Sequence, residues 1–597
     1  LIAQKPHTIP VVIKRRPEPS ATDGPFADLH PLLSRLYQAR GVRSDDDCSL
    51  PLAALHPFNS FKDIEPAADL LADAIRVGKS ILVVGDYDAD GATGSALAVR
   101  GLRLLGAPDL AYLIPSRFTS GYGLSPALVD TAASLGADLI VTVDNGISSL
   151  AGVCRANALG IPVIITDHHL SGRELPSAAA IVNPNRLGDG FPSKSIAGVG
   201  VVFYLLATVR ARLRELGWFG AGRPVPNLAE LLDLVALGTV ADVVVLDRNN
   251  RILVEQGLRR IRAGRCSPGV AALLKVAGRN PGTATARDLG FVAGPRLNAA
   301  GRLTEMSLGV ECLLADDPDR ALSIALELDA LNRRRREIED EMKDQAEAVL
   351  RDLVLDASGL PPALCLFDAG WHQGVIGILA ARIRERYHRP VIAFAAAEDG
   401  LLRGSARSIE GLHIRDLIDA ADQCRPGLVE RFGGHAMAAG LSLRAGALDG
   451  FRETLVDVAR RQLGDAQPVR ELVSDGELSV RDLDLATAEL LRSAGPWGKG
   501  FPEPLFDGWF QVLERRVVGE RHLKLRLRPL DGESIEAIGF GLGEAAVSAG
   551  NRVRLVYRLV VNEYRGIRSP QLIMEHIDAV SETNPIPCPG LPNNNHC

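Results

Sequence analysis

From about Phe61 to Val245 short apolar runs alternate with amphipathic stretches, and that alternation leaves few folds open besides a parallel α/β sheet. Ile81-Leu82-Val83-Val84, Leu139 to Val143 and Pro162 to Ile165 are the clearest strands, with helical stretches such as Ser125 to Leu135 and Leu150 to Ala158 between them. Acidic groups follow. Gly85-Asp86-Tyr87-Asp88-Ala89-Asp90-Gly91 comes after the first strand, Asp144-Asn145-Gly146 after the second and Thr166-Asp167-His168-His169 after the third. Leu237-Gly238-Thr239-Val240-Ala241-Asp242 repeats the theme. Ligands of open α/β sheets bind outside the carboxyl ends of the strands. All four groups, each read as lying at a strand end, are therefore expected to converge on one cleft.

Five or more carboxylates cannot share a cleft as bare anions, because repulsion would raise their pKa values or unfold the edge. Cations resolve this. Aspartate oxygens with histidine nitrogens, and no thiolate, favour Mn²⁺ or Mg²⁺ over structural zinc. Two ions about 3.5–4 Å apart would activate a water and hold a phosphoryl oxygen together. A lone aspartate after a strand is more often a helix cap. The run Asp86 to Gly91 also resembles the opening of a calcium loop, but Leu97 stands where that loop needs a bidentate glutamate. Four such groups together exceed what capping explains.

Farther on, Asp317-Pro318-Asp319 supplies an N-cap, a proline at the first helical position and a first-turn acid. Ile324, Leu328, Leu331, Ile338, Met342 and Val349 form a seam broken by Arg335 and Gln345, which predicts a helix of about 50 Å connecting two domains. A second α/β unit is expected from Pro362 to Leu463. Phe510 to Glu514, His522 to Arg528, Ser534 to Phe540, Val553 to Asn562 and Gln571 to Glu575 read as five strands of a small OB-type barrel. Ser581 to Cys597, rich in proline and asparagine, is expected to be disordered.

A chain of 597 residues should hold roughly three to five domains. Its net charge of −6 argues against a general nucleic-acid coat protein, though not against an enzyme that gathers phosphate with local arginines and metal. Eight scattered cysteines without a C-x-x-C pair read as free thiols of a reducing compartment. The longest near-uncharged apolar run, Ile196 to Val209, is too short for a membrane span, and no signal segment opens the chain, so a cytoplasmic location is expected. Gly78-Lys79-Ser80 has Asp73 where a P-loop needs its first glycine, and Gly198-Val199-Gly200 lacks a third, so an ATP-driven or dinucleotide enzyme is not expected.

The acidic and histidine motifs resemble the four motifs of the DHH phosphoesterase superfamily. Gly294 to Arg302, Trp371 to Gly377, Gly404 to Ser408, Gly433-Gly434-His435 and Pro496 to Pro504 narrow the resemblance to its RecJ-type exonucleases, over about residues 60 to 578. The resemblance implies Asp88, Asp90, Asp144, His168, His169 and Asp242 as metal shell. Asp86 completes the catalytic set at a place where many relatives carry histidine, and Asp167 orients a histidine. Glycine-rich turns let backbone N–H groups approach phosphate, and arginine clamps it. Ser405 and Arg407, with Arg117, are the candidates for a terminal 5′-phosphate. Arg296, Asn298, Arg302, His372, Gln373 and His435 are further candidate DNA contacts. In the barrel, His522, Lys524, Arg526 and Arg528 share a strand face, and Tyr564-Arg565 follows the fourth strand, which suits stacking and backbone tracking.

The implied organisation is an N-terminal extension (1–60), a DHH catalytic domain (61–315), a connector helix (316–352), a DHH-associated domain (353–464), an OB domain (465–580) and a tail (581–597). The implied activity is metal-dependent hydrolysis of single-stranded DNA from its 5′ end, in repair and recombination, by a monomer that works with single-strand DNA-binding protein. Two alternatives are a DHH phosphodiesterase of short oligonucleotides and a non-catalytic DNA-binding scaffold. The first is generally shorter and lacks the barrel; the second loses ligands that are all present here.

Overall fold

The structure is a computed structural model and describes residues 11–17, 26, 29–118, 122–172, 174–354, 360–397, 400–464 and 469–579. The tail 581–597 lies outside them. The chain forms two compact units: residues 50–470 with 498–500, and residues 11–49 with 471–497 and the segment from 501 onward.

The first unit opens on a five-stranded parallel sheet of β1 (Ser80–Val84), β2 (Asp109–Leu113), β3 (Leu139–Val143), β4 (Val163–Thr166) and β5 (Ala180–Val182), in the order β2-β1-β3-β4-β5. Strands β3 and β4 are buried at every residue, as a sheet covered on both faces requires, which is why they read as near-continuous apolar runs broken only by Thr142 and Thr166. The order reverses between β1 and β3, so the crevice at their carboxyl ends is the natural ligand site. Helices α1 (Ala89–Leu105), α2 (Gly198–Glu215) and α3 (Leu232–Ala241) pack around that edge and on one another.

Helix α4 (Gly294–Leu303) precedes the connector α5 (Pro318–Val354), 37 residues long. Ile324, Leu328 and Met342 of its predicted seam are buried, but Val349 is exposed and Ala346 and Leu350 are buried instead. A straight helix turns 3.6 residues at a time, so a seam drawn with a 3.5 repeat drifts off its buried face. The middle of the seam is polar: Asp329, Asn332, Arg335 and Glu339 are all buried.

Beyond it a mixed sheet carries β6 (Leu364–Phe367), β7 (Val391–Ala396), β8 (Leu401–Arg407), β9 (Arg431–Gly434) and β10 (Ala438–Arg444), in the order β9-β10-β8-β7-β6, with only β6 and β7 parallel. Helix α6 (Ile376–Tyr387) packs on it.

The second unit is a closed five-stranded barrel of β11 (Phe506–Val518), β12 (His522–Pro529), β13 (Ile535–Gly539), β14 (Arg552–Tyr564) and β15 (Ile567–Ala579), in the order β11-β12-β13-β15-β14. Where the sequence reading sets residues 1–60 apart as one extension, the structure divides them. Leu32, Leu33 and Leu36 enter the barrel's apolar core, and Arg40 grips Asp475 with two hydrogen bonds of 2.9 and 2.8 Å.

Asp507 fastens the same segment. Fully buried, it accepts from Arg15 Nε and Nη2 at 2.9 and 2.8 Å, from Ser474 Oγ at 2.6 Å and from Arg554 Nη2 at 2.7 Å. Burial alone would raise its pKa, but these hydrogen bonds outweigh it and hold the carboxyl below the ordinary range. A depressed carboxyl contributes stability above its unfolded pKa and loses it as pH falls through the folded value. Asp507→Asn should therefore destabilise this unit at pH 7 by about 1.5–3 kcal/mol. The difference should begin to narrow only below about pH 4 and should close beneath the depressed folded value. Urea unfolding at both pH values checks this, and equal stability at pH 7 would reject the staple.

Candidate metal centre and phosphate pocket

Four segments bring the acidic groups together. Asp86, Asp88 and Asp90 occupy the turn from β1 into α1, where Asp88 is the N-cap and its Oδ1 accepts from Asp90 N and Gly91 N, both at 3.0 Å. Asp88 thus does cap a helix. Its second oxygen remains for the cleft, where a carboxylate oxygen each from Asp86, Asp88 and Asp144 lie within 4.8 Å of one another.

Asp144 follows β3 with φ 61°, in the left-handed region that aspartate tolerates better than most residues. The N-terminus of α2 approaches it so closely that a Cβ at Gly198 would lie 2.7 Å from Asp144 Cβ. The amides of Gly198 and Val199 in turn donate to Asp90 Oδ2 and Oδ1 at 2.7 and 2.9 Å, leaving each oxygen one lone pair.

His168 and His169 follow β4. His168 Nε2 lies 3.0 Å from Asp144 Oδ1, 3.6 Å from Asp242 Oδ2 and 3.8 Å from Asp90 Oδ2. Asp167 has its Oδ1 2.8 Å from His169 Nδ1, and it also accepts from the amides of Ile147, His168 and His169. Asp167 therefore accepts a hydrogen bond from Nδ1, and Nε2 is the nitrogen a cation would take once its own proton is displaced.

Asp242 corrects the sequence reading. It arrives at the carboxyl end of a helix, as the C-cap of α3, and not at a strand end. The run Leu232 to Ala241 is apolar on every side because the helix is buried almost throughout, so its periodicity is hidden.

Electrostatics identifies what the cluster lacks. Burial first, and neighbouring carboxylates second, push Asp86, Asp144 and Asp242 well above the ordinary carboxylate range. The same causes raise Asp90 to about 7 against the amide hydrogen bonds it accepts. Burial, then the charge of His169, lowers His168 to about 4. Burial would lower His169 too, but Asp167, Asp242 and Asp86 outweigh it and raise it to about 9. Asp86 Oδ1, Asp144 Oδ1 and His168 Nε2 are buried, and apart from the 3.0 Å approach of the last two to each other none has a hydrogen-bond partner. Two further triads, Asp144 with His168 and His169, and Asp90 with His168 and Asp242, also bring ligand atoms within 4.8 Å. Oxygen and nitrogen atoms so crowded and so starved of donors fit a divalent cation, whose binding would release the protons they hold.

Three supporting residues carry no signal of spacing and escape the sequence reading. Tyr122 donates through its hydroxyl to Asp144 O at 3.2 Å and lies 3.1 Å from His169 Nδ1. Asn183 Nδ2 donates to His169 O at 2.9 Å, and Asn185 Nδ2 to His168 O at 2.5 Å.

Beside the cluster lies a cationic pocket. Arg117 stands 4.0 Å over the ring of Tyr87, the residue between Asp86 and Asp88, and donates from Nε to Gly301 O at 3.0 Å. Arg302 Nη1 donates to Gly374 O at 3.2 Å. Ser405 and Arg407 lie on strand β8 and not on a glycine-rich turn, which corrects the expectation; alternation puts both on one face. They press on the first turn of α6: a Cβ at Gly377 would meet Ser405 Oγ at 2.9 Å and Arg407 Nη2 at 3.0 Å. A hydroxyl and a guanidinium beside the positive end of a helix make an anion site, although the Val375 and Ile376 amides already donate to His372 O.

The remaining candidates divide. His372 accepts from Gly374 N at 3.1 Å and meets Phe118 edge-on, so it stands at this pocket. Gln373 Nε2 donates to Ala396 O at 2.8 Å. Asn298 uses Oδ1 to accept from Ala89 N at 2.9 Å, so it braces the Asp88–Asp90 turn. Arg296 is buried, with Asp329 2.7 Å from its Nη2 and Val292 O accepting from its Nη1, so its charge is spent on a structural ion pair. His435 is exposed in the turn between β9 and β10, and no side-chain contact among the described residues ties it to the pocket. On the barrel, His522, Lys524, Arg526 and Arg528 do face outward from β12, but Lys524 pairs with Glu536 at 3.0 Å and Arg526 with Glu514 at 3.3 Å, halving the expected cationic face. Tyr564 is 65% exposed, with Arg565 5.3 Å from its ring centre.

Three domain families match along the chain: the DHH family N-terminal domain over residues 80–239, the DHHA1 domain over 360–461 and the RecJ OB domain over 474–576. A Salmonella typhimurium protein described as single-stranded-DNA-specific exonuclease RecJ is 53% identical over 567 residues, covering 94% of this chain and 98% of that one. The crystal structure of RecJ in complex with Mn²⁺ from Thermus thermophilus is similar with a TM-score of 0.78 at 33% identity, over 96% of this chain and 80% of that one. Its counterpart in complex with Mg²⁺ gives 0.72 at 32%, over 95% and 78%.

Proposed function

The chain belongs to the RecJ family of DHH phosphoesterases, and on that footing we propose that it is a metal-dependent exonuclease that hydrolyses single-stranded DNA from the 5′ end. One observation carries the reading: a donor-starved cluster of aspartates and histidines stands against an anion pocket built from Arg117, Arg302, Ser405 and Arg407. Asp88, Asp90, Asp144, His168, His169 and Asp242 would hold Mn²⁺ or Mg²⁺, two ions being the number that so many ligands suit, with Asp86 as an additional carboxylate. The cation supplies positive charge at the phosphoryl oxygens and a more acidic water.

The chain's own residues fix the register. Ser405 and Arg407, beside the first turn of α6, grip the terminal phosphate, with Arg117 and Arg302 near them, so the next phosphodiester lies at the cluster. Asp167 and Tyr122 hold His169, and Asn183 and Asn185 hold the backbone of both histidines. Each cut leaves a new 5′-phosphate on the strand, ready for the same grip. The barrel's His522, Lys524, Arg526, Tyr564 and Arg565 are proposed to carry the strand. A monomeric chain and a single-strand DNA-binding protein as partner belong to the same proposal, and sedimentation of the chain with and without that protein tests both.

The deciding assay supplies Mn²⁺ and a single strand labelled at either end. Mononucleotides should come first from the 5′ end; release from the 3′ end would reject the polarity. Arg407→Ala should blunt the preference for 5′-phosphorylated over 5′-hydroxyl strands. One lost charge-assisted contact is worth roughly 1.5–3 kcal/mol, about ten- to a hundredfold in kcat/KM. An unchanged ratio would move the pocket to Arg117 and Arg302.

A further inference from the structure

Cutting one nucleotide from the end of a held strand creates a problem of exit. On the activity proposed above, the oxygen of water adds to the phosphorus joining the first two nucleotides, the P–O3′ bond breaks, and the 3′ oxygen takes up a proton. The freed nucleoside 5′-monophosphate then has its phosphate at Ser405 and Arg407 and its new 3′ hydroxyl at the acidic cluster. The remaining strand still fills the entrance. The product must leave by a second opening or wait for the strand to dissociate.

The same unit holds a cavity beside this site. The cavity, of about 450 Å³, lies between the π-helical turn Leu289–Ala293, α4, the middle of α5 and the start of α6. Pockets for small ligands run roughly 300–1,000 Å³, so a mononucleotide is of suitable size. Asn298 and Arg302 line the cavity. Through Asn298 it touches the Asp88–Asp90 turn, and through Arg302 it touches Gly374 of the phosphate pocket. The guanidinium of Arg302 feels Arg117 and Arg407 as well as Arg335, and burial with these charges lowers it to about 10.

Cationic residues therefore continue from the pocket into the cavity, where Arg335 and Arg336 follow on α5. Arg335 is committed to Glu339 and Asn332, whereas Arg336 is exposed and has no carboxylate partner among the described residues. Phe291 also lines the cavity, 70% exposed, with Arg287 5.3 Å from its ring centre. An exposed phenylalanine among guanidinium groups contributes little to a core, but it suits a base. Glu339 and Asp340 line the cavity too and temper its charge, which favours passage over capture.

We propose that this cavity receives the nucleoside 5′-monophosphate product, with Arg336 on its phosphate and Phe291 against its base, and lets it leave while the strand stays bound. The test is calorimetric titration of the full, Mn²⁺-loaded chain with 2′-deoxyadenosine 5′-monophosphate. Wild type should show two binding steps. Combining Phe291→Ala with Arg336→Gln should weaken one of them by about tenfold or more. Arg407→Ala should weaken the other. The first cut of a 5′-phosphorylated strand, in single turnover, should proceed at the wild-type rate in the Phe291/Arg336 variant, while added mononucleotide inhibits repeated cutting less. Both substituted side chains are exposed, so the variant should fold. Titration indistinguishable from wild type would overturn the cavity's role, as would binding that only Arg407→Ala disturbs. A chain that shows both binding steps yet makes no cut would overturn the proposed activity and leave the mononucleotide site standing.

Discussion

Replacing Asp144 with asparagine should abolish strand cleavage, by about 10³-fold or more, while the metal-free protein melts no lower than wild type. Asparagine keeps the size of the side chain and tolerates the left-handed backbone that Asp144 adopts, whereas alanine would add strain at φ 61°. Charge is what changes. Burial, then Asp90, Asp88, Asp242 and Asp86, drive the Asp144 carboxyl upward. Between its unfolded pKa and that raised value the folded state binds more protons than the unfolded one. The metal-free protein should therefore lose stability as pH rises through this range. The substitution removes one source of that loss, so its melting temperature should depend less on pH. Mn²⁺ reverses the comparison: the cation stabilises only the folded cluster, and wild type should gain more from it than the variant. Cleavage assays and melting curves with and without Mn²⁺ test the set. Substantial residual cleavage in Mn²⁺, or an equal gain in melting temperature, would remove Asp144 from the metal shell.

Much of this site was legible because strand and acid lie side by side in the chain. The runs before Asp86, Asp144 and Asp167 are short, apolar and buried on both faces, and the switch in strand order gathers their ends. Asp242 was legible as a residue but not as a position, since a helix buried on all sides shows neither the 3.6 nor the 2.0 period. Ser405 and Arg407 stand out by residue type, but their setting, a strand and not a turn, is not legible locally. Gly404 and Ala406 suggest a turn, yet the hydrogen-bond partners that make this segment a strand lie at Val391–Ala396 and Ala438–Arg444. Arg296 looks like any other helical arginine until Asp329, 33 residues away, takes its charge. Leu32, Leu33 and Leu36 mark only a short amphipathic helix, and their apolar partners begin more than 400 residues later. Local pattern reveals elements and chemistry; pairings over such distances are set by packing that no window of sequence contains.

That distant pairing changes how the division of labour must be tested. Ending the chain near Gly464 would strand Leu32, Leu33, Leu36 and Arg40, whose partners lie in the barrel unit. The cleaner comparison is a chain restricted to residues 50–470, which keeps the acidic cluster, the connector helix and the Ser405/Arg407 pocket. It lacks β12 and the Tyr564-Arg565 tip. Base stacking is worth ~1–3 kcal/mol per base, so losing contact with even two bases should raise KM about tenfold or more. The chemical step depends on the cluster, so kcat should change far less. Salt dependence should also become shallower, because backbone tracking releases counterions. Lys524 and Arg526 already carry glutamate partners, but exposed pairs contribute only about 0–1 kcal/mol and exchange readily for phosphate. Each such exchange frees a glutamate to repel the strand, so the change in slope should be smaller than the number of barrel cations suggests. Steady-state kinetics on a 5′-phosphorylated oligonucleotide at two salt concentrations separates these effects. If the shortened chain lost kcat but bound the strand as before, the barrel would belong to the cutting apparatus, and the assignment of strand holding to one unit and hydrolysis to the other would fall.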